Sequence, residues 1–92
     1  MTPAFILLVR PTGGQARVGF TVSRRIGNAV ARNRARRRLR EAARQVLPRS
    51  GLPAADHVLI ARPLPDERPF DALVEDLGRA LERAATRLGP RA

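Results

Sequence analysis

The chain has 92 residues, of which 43% are hydrophobic and 3% aromatic, with no cysteine and a formal net charge of +10. That length supports one domain with a single modest core and excludes a second, and the lack of cysteine excludes a disulfide framework or thiolate metal site and fits a reducing compartment. The apolar run Phe5-Ile-Leu-Leu-Val9 is too short to span a bilayer and lacks the flanks of a signal peptide, so the expectation is a soluble cytoplasmic protein.

In chain order, Phe5 to Val9 reads as a short strand covered on both faces, followed by the turn residues Pro11-Thr-Gly-Gly14. Arg17 to Ser23, RVGFTVS, alternates with Val18, Phe20 and Val22 on one side, and with the first strand it predicts a β-hairpin. Gly27-Asn28 breaks the pattern. Asn28 suits an N-cap, and the segment from Ala29 to Leu47 reads as a helix that Pro48 ends.

His57 to Ala61, HVLIA, predicts a third strand between Pro53 and Pro63. A second helix is expected from Pro69 to Leu88, with Phe70, Leu73, Val74, Leu77, Leu81, Ala84, Ala85 and Leu88 at helical spacing and Gly89-Pro90 as its stop. Its acids gather early and its arginines late, as the helix dipole favours. The order β-β-α-β-α predicts an α+β fold, a small three- to four-stranded sheet packed with two helices.

The charge is concentrated in one place. Arg17 to Arg49 holds eleven arginines and one acid, Glu41, which is 11 − 1 = +10, while the rest of the chain holds seven arginines and seven acids and sums to zero. No basic residue is lysine. Arginine presents a planar fork that suits phosphate and a flat face that stacks on bases, so a polyanion is the expected partner. The segment has no large aromatic or leucine face with which to enter a lipid interface, and a membrane is not expected.

Gly27 to Glu41, GNAVARNRARRRLRE, carries most of that charge. At about 100° per residue, Ala31, Ala35, Leu39, Ala42 and Val46 fall in a stripe about 80° wide, one narrow face for a sheet. Arg32, Arg36 and Arg40 run down one flank, Arg37 and Arg44 cover the far side, and Arg34 and Arg38 line the other flank. Glu41 reaches only Arg37, Arg38 or Arg44, so most of the charge is uncompensated within the helix. Like charges at i,i+4 cost a few tenths of a kcal/mol each, and the series Arg32-Arg36-Arg40-Arg44 therefore works against its own helix. A nucleic acid explains that arrangement better than solubility does. Arg24 and Arg25 precede the helix N-terminus, and Asn28 and Asn33 add short amides suited to a base edge or sugar.

Three other readings compete with this one. Asn28, Ala31, Ala35 and Arg36 fit the spacing of a DNA-reading basic helix, but Pro48 and Pro53 interrupt any following zipper. An autonomous nuclease needs clustered carboxylates, and Asp66, Glu67, Asp71, Glu75 and Asp76 are explained by the dipole of the second helix. His57 stands on a strand with no carboxylate that suggests a general base, and no residue is assigned a catalytic or metal-binding role. A structural or ribosomal RNA-binding protein without a role in cleavage is the main alternative.

Val18 to Glu41, VGFTVSRRIGNAVARNRARRRLRE, closely resembles the signature of the protein component of bacterial ribonuclease P, and Asp56 to Arg62, DHVLIAR, resembles that family's third strand. The resemblance implies a left-handed crossover from the second strand through the arginine helix to the third. It also implies a protein that binds a catalytic RNA and helps it remove the 5′ leader of precursor tRNA by phosphodiester hydrolysis, with Mg2+ serving the RNA, no cofactor held by the protein, and one protein per RNA. Arg24, Arg25, Asn28, Arg32, Asn33, Arg34, Arg36, Arg37, Arg38 and Arg40 are the positions implied to meet that RNA, with Arg44 extending the surface. Phe5 matches an aromatic position of the implied cleft for the single-stranded leader. Leu8 stands where the family often has an aromatic. Residues 1–92 are thus expected to form one RNA-binding domain that lacks the family's usual N-terminal helix.

Overall fold

The strand at the centre of the sheet is the last of the three in sequence. A computed structural model describes residues 2–12, 14, 17–52, 55–64 and 67–88, and they form β1 (Phe5–Pro11), β2 (Arg17–Thr21), a 3-10 turn (Arg24–Ile26), α1 (Ala29–Ser50), β3 (Ala55–Ala61) and α2 (Phe70–Leu88). The strand order is β1-β3-β2. β1 runs antiparallel to β3, with Leu7 opposite Leu59, and β2 runs parallel to it, with Phe20 opposite Leu59.

The expected hairpin of the first two strands is therefore wrong: β3 lies between them. Parallel pairing of β2 with β3 needs a long crossover, which α1 supplies, and β3 alternates strictly between buried and half-buried positions as a central strand should.

Both helices pack on one face of the sheet. Phe5, Leu59 and Ala61 meet Leu39, Ala42, Ala43 and Val46 of α1 and Leu73, Leu77 and Leu81 of α2 in the core. By register and alternation, Ile6, Leu8, Val58, Ile60 and Thr21 lie on the opposite face, where Leu8 is 52% exposed. The first strand is thus covered on one side, not two. Residue period alone does not distinguish an apolar strand covered twice from one with an open apolar face.

The strand starts are pinned from outside the sheet. Thr2 donates its hydroxyl to the Phe5 carbonyl at 2.6 Å, and Arg62 donates its backbone N–H to Ala4 at 2.8 Å and a guanidinium N–H to the Thr2 carbonyl at 3.0 Å. His57, 3% exposed, accepts from the Leu52 N–H at Nε2, 3.0 Å, and its Nδ1 lies 3.4 Å from the Arg17 carbonyl. The ring ties the exit from α1 to β3 and to the edge strand β2, a structural role for the chain's one histidine.

α1 begins as expected, with Asn28 Oδ1 accepting from the Ala31 N–H at 2.9 Å. Gly27 makes the bend before it at φ 141°, and a Cβ there would meet the Ala31 Cβ at 3.1 Å. The helix does not end at Pro48 but runs to Ser50. Proline forfeits one hydrogen bond so near the terminus, and the Gly51 N–H closes the last turn on the Leu47 carbonyl at 2.8 Å.

α2 starts one residue later than expected, with the Pro69 carbonyl accepting from Leu73 at 3.0 Å. Its buried face includes Ala80 and Asp76 and leaves Ala85 exposed. Pro53, Gly89 and Pro90, read as boundaries, lie outside the described residues.

Candidate nucleic-acid interface

The seam of α1 fixes which arginines face outward. Leu39, Ala42, Ala43 and Val46 are buried, Ala31 and Ala35 half-buried, and beyond the seam Arg34, Arg37, Arg40 and Arg44 are exposed while Arg32, Arg36 and Arg38 are half-buried. Arg36, Arg37, Arg40 and Arg34 line an open groove of about 500 Å3 with Asn33 and Val30. Val30 is 76% exposed among these cations. Sequence reasoning passed over it, and its only signal was an apolar residue off the seam.

The arginines divide into two groups. On the flank toward α2, Arg34 donates two hydrogen bonds to Glu67, from Nε to Oε2 at 2.5 Å and from Nη2 to Oε1 at 2.8 Å. Arg38 lies 3.7 Å from the same carboxylate, donates to the Arg68 carbonyl and sits over the Phe70 ring, 5.8 Å from its centroid. The hydrogen bond from Arg34, with the charges of Arg38 and Arg34, holds the Glu67 carboxyl below its ordinary range, and Glu67 in turn raises Arg34. Charge counted as uncompensated within α1 is thus answered from the loop before α2.

The other group is free. Among the described residues, the side chains of Arg24, Arg25, Arg37 and Arg40 have no hydrogen-bond or ion-pair partner on the protein, and all four are exposed. Arg36 donates to Asn33 Oδ1 at 3.3 Å and Arg44 to Glu41 at 3.1 Å. Arg32 folds back onto the Gly27 carbonyl at 2.7 Å, bracing the helix start. Asn28 commits its carbonyl oxygen to the cap and keeps its amide N–H groups exposed.

Phe5 is not available to a ligand. It is 0% exposed, inside the core under the two helices, so it cannot stack on an unpaired base, and the leader-binding expectation for its side chain fails. The carboxylates weighed for a nuclease are engaged elsewhere or dispersed: Asp76 is 7% exposed and accepts from Arg68 at 2.6 and 3.2 Å, a contact that raises Arg68. Asp66 lies outside the described residues. Among those described, no three His, Cys, Asp or Glu side chains group as a metal site, and no helix is long and apolar enough to cross a membrane.

This surface belongs to a fold and a sequence with known relatives. The family model described as Ribonuclease P matches residues 1–85. The ribonuclease P protein component of Ruegeria pomeroyi is 65% identical over 68 residues, 73% of this chain and 54% of that protein. The Erythrobacter litoralis component is 51% identical over 83 residues, 89% of this chain and 69% of its own length. This chain thus spans about half to two thirds of the length of those relatives. Among solved structures, the Thermotoga maritima ribonuclease P protein superposes with a TM-score of 0.73 at 28% identity, over 90% of this chain and 79% of that one. The Staphylococcus aureus protein superposes with a TM-score of 0.72 at 27% identity, over 91% and 77%. With a family model matching residues 1–85 and two solved ribonuclease P proteins superposing over about nine tenths of its length, the chain belongs to the ribonuclease P protein family.

Proposed function

We propose that this chain acts as the protein subunit of ribonuclease P, binding the catalytic RNA through the arginine face of α1 and assisting removal of the 5′ leader from precursor tRNA. The observation that carries the reading is the exposed set Arg24, Arg25, Arg37 and Arg40, cations with no partner among the described residues, on a member of this family. Each phosphate that they contact releases condensed counterions, which makes binding steeply dependent on salt. The RNA supplies the reactive centre and its Mg2+, and the protein supplies position and positive charge. Two polyanions, catalytic RNA and precursor tRNA, repel each other, and a concentrated cationic surface between them lowers the magnesium needed to bring them together.

In this reading the leader would lie on the open face of the sheet rather than at Phe5. Ile6, Leu8, Val58 and Ile60 offer an apolar floor there, with Arg10 and Arg17 on either side of Asp56 at one end of that face for phosphates. No aromatic side chain stands among these residues, so bases would be held by apolar contact rather than by ring stacking. One protein per RNA, in the cytoplasm, completes the reading.

Reconstitution tests it. The purified chain, added to a bacterial ribonuclease P RNA at low magnesium, should accelerate precursor-tRNA cleavage. Binding without acceleration would overturn the subunit role and leave a structural RNA-binder, and cleavage without added RNA would make the protein itself a nuclease.

A further inference from the structure

A second groove opens where the cover over the sheet ends. Val18 shares a face with His57, yet Val18 is 43% exposed while His57 is 3% exposed, so the helices stop short of edge strand β2. The gap is a slot of about 540 Å3 between β2 and the C-terminal half of α1, walled by Val18, Phe20, Leu47 and Leu52. That volume lies within the range of small-molecule sites, roughly 300–1,000 Å3. Arg40 and Arg44 stand over it, and among the described residues no acidic side chain lines it. Leu52 is held in place by its hydrogen bond to His57.

Arg40 also lines the groove of the arginine face, so the slot and that face are continuous. We propose that the slot takes an unpaired nucleotide of the RNA bound along α1, with its base between Phe20, Val18 and Leu47 and its phosphates on Arg40 and Arg44. The inference rests on the RNA-binding reading above and adds a site to it. The orientation follows from charge. The carbonyl end of α1 closes the slot beside Leu47, which disfavours a phosphate there and leaves that end to the apolar base. A basic rim around an apolar wall with one aromatic is the construction that holds single-stranded nucleic acid, because every base has a flat face and every linkage a charge.

The test uses the full chain with methyl signals of Val18, Leu47 and Leu52 followed by NMR, titrated first with an eight-nucleotide oligoadenylate and then with ribonuclease P RNA. The methyl signals should shift with both probes, and V18E should weaken oligonucleotide binding by about fivefold or more, the low end of one lost base stack. T86E, which adds the same charge on α2 outside the slot, should change it less than twofold. Should the RNA bind and stimulate cleavage while the slot methyls stay still, the inference is overturned and the subunit reading stands. Should the oligonucleotide shift them but cleavage fail to respond, the slot stands and the subunit reading falls. A shift with an acidic peptide and none with either RNA would make the slot a protein site and overturn it as well.

Discussion

Arg34 and Glu67 are joined by two parallel hydrogen bonds across 33 residues of sequence, and that fork holds a carboxylate where a phosphate would otherwise sit. Glu67 therefore competes with RNA for one of the arginines nearest the helix start. E67Q should raise affinity for ribonuclease P RNA by about two- to fivefold at low salt, the scale of one exposed ion pair, and steepen the salt dependence. Filter binding across a salt series checks both, and unchanged affinity would remove Glu67 as a competitor.

The same pair carries a pH dependence with a definite sign. The folded-state carboxyl titrates below its ordinary value of 4.5, so its contribution is present at neutral pH and is lost as pH falls below that value toward the lower folded one. The melting temperature should drop more between about pH 5 and pH 3 in the native chain than in E67Q. Parallel thermal melts at several pH values decide it.

The free arginines are separable from the engaged ones. Replacing Arg25, Arg37 and Arg40 together by alanine should lower the salt slope of RNA binding by about 2 to 3, from roughly 0.7–0.9 per phosphate contact, with the melting temperature nearly unchanged. R38A should behave differently and lower stability as well, because the Arg38 side chain is 19% exposed and its guanidinium lies over Phe70 and bonds the Arg68 carbonyl.

Asp76 depends on Arg68. R68M leaves Asp76, 7% exposed, without its partner and should lower stability, read as an earlier midpoint in chemical denaturation. The double variant R68M/D76L should recover much of the loss, since no buried charge is then stranded.

Gly27 is conformationally required. G27A places a side chain at φ 141° against Ala31 and should cost about 1–2 kcal/mol while reducing RNA affinity, because the turn sets where Arg24 and Arg25 stand relative to α1.

Local signals were legible in the sequence and distant pairings were not. The Asn28 cap, the seam of α1 and the start of α2 follow from contacts within a few residues, and they stand close to where spacing put them. The partner of β1 is set by β3, some fifty positions on, and adjacency in sequence favoured β2 instead. Phe5 and Leu8 sit in one uniform apolar run, so which of them turns inward depends on where the helices pack. Glu67 looked like a dipole residue of α2 because its link to Arg34 spans the fold. The arginine face was readable because its charge has no local answer, whereas the division between free and engaged arginines required the loop before α2.

The central place of β3 has a consequence for synthesis. Both ladders of the sheet use β3, so neither β1 nor β2 has its strand partner until residues 55–61 have left the ribosome. The arginine helix is complete by then, with an apolar seam and nothing yet to cover it. The nascent protein therefore passes through a stage in which its most cationic element is finished and its sheet is not, and a chain cut before Ala55 would keep the charge and lose both strand pairings.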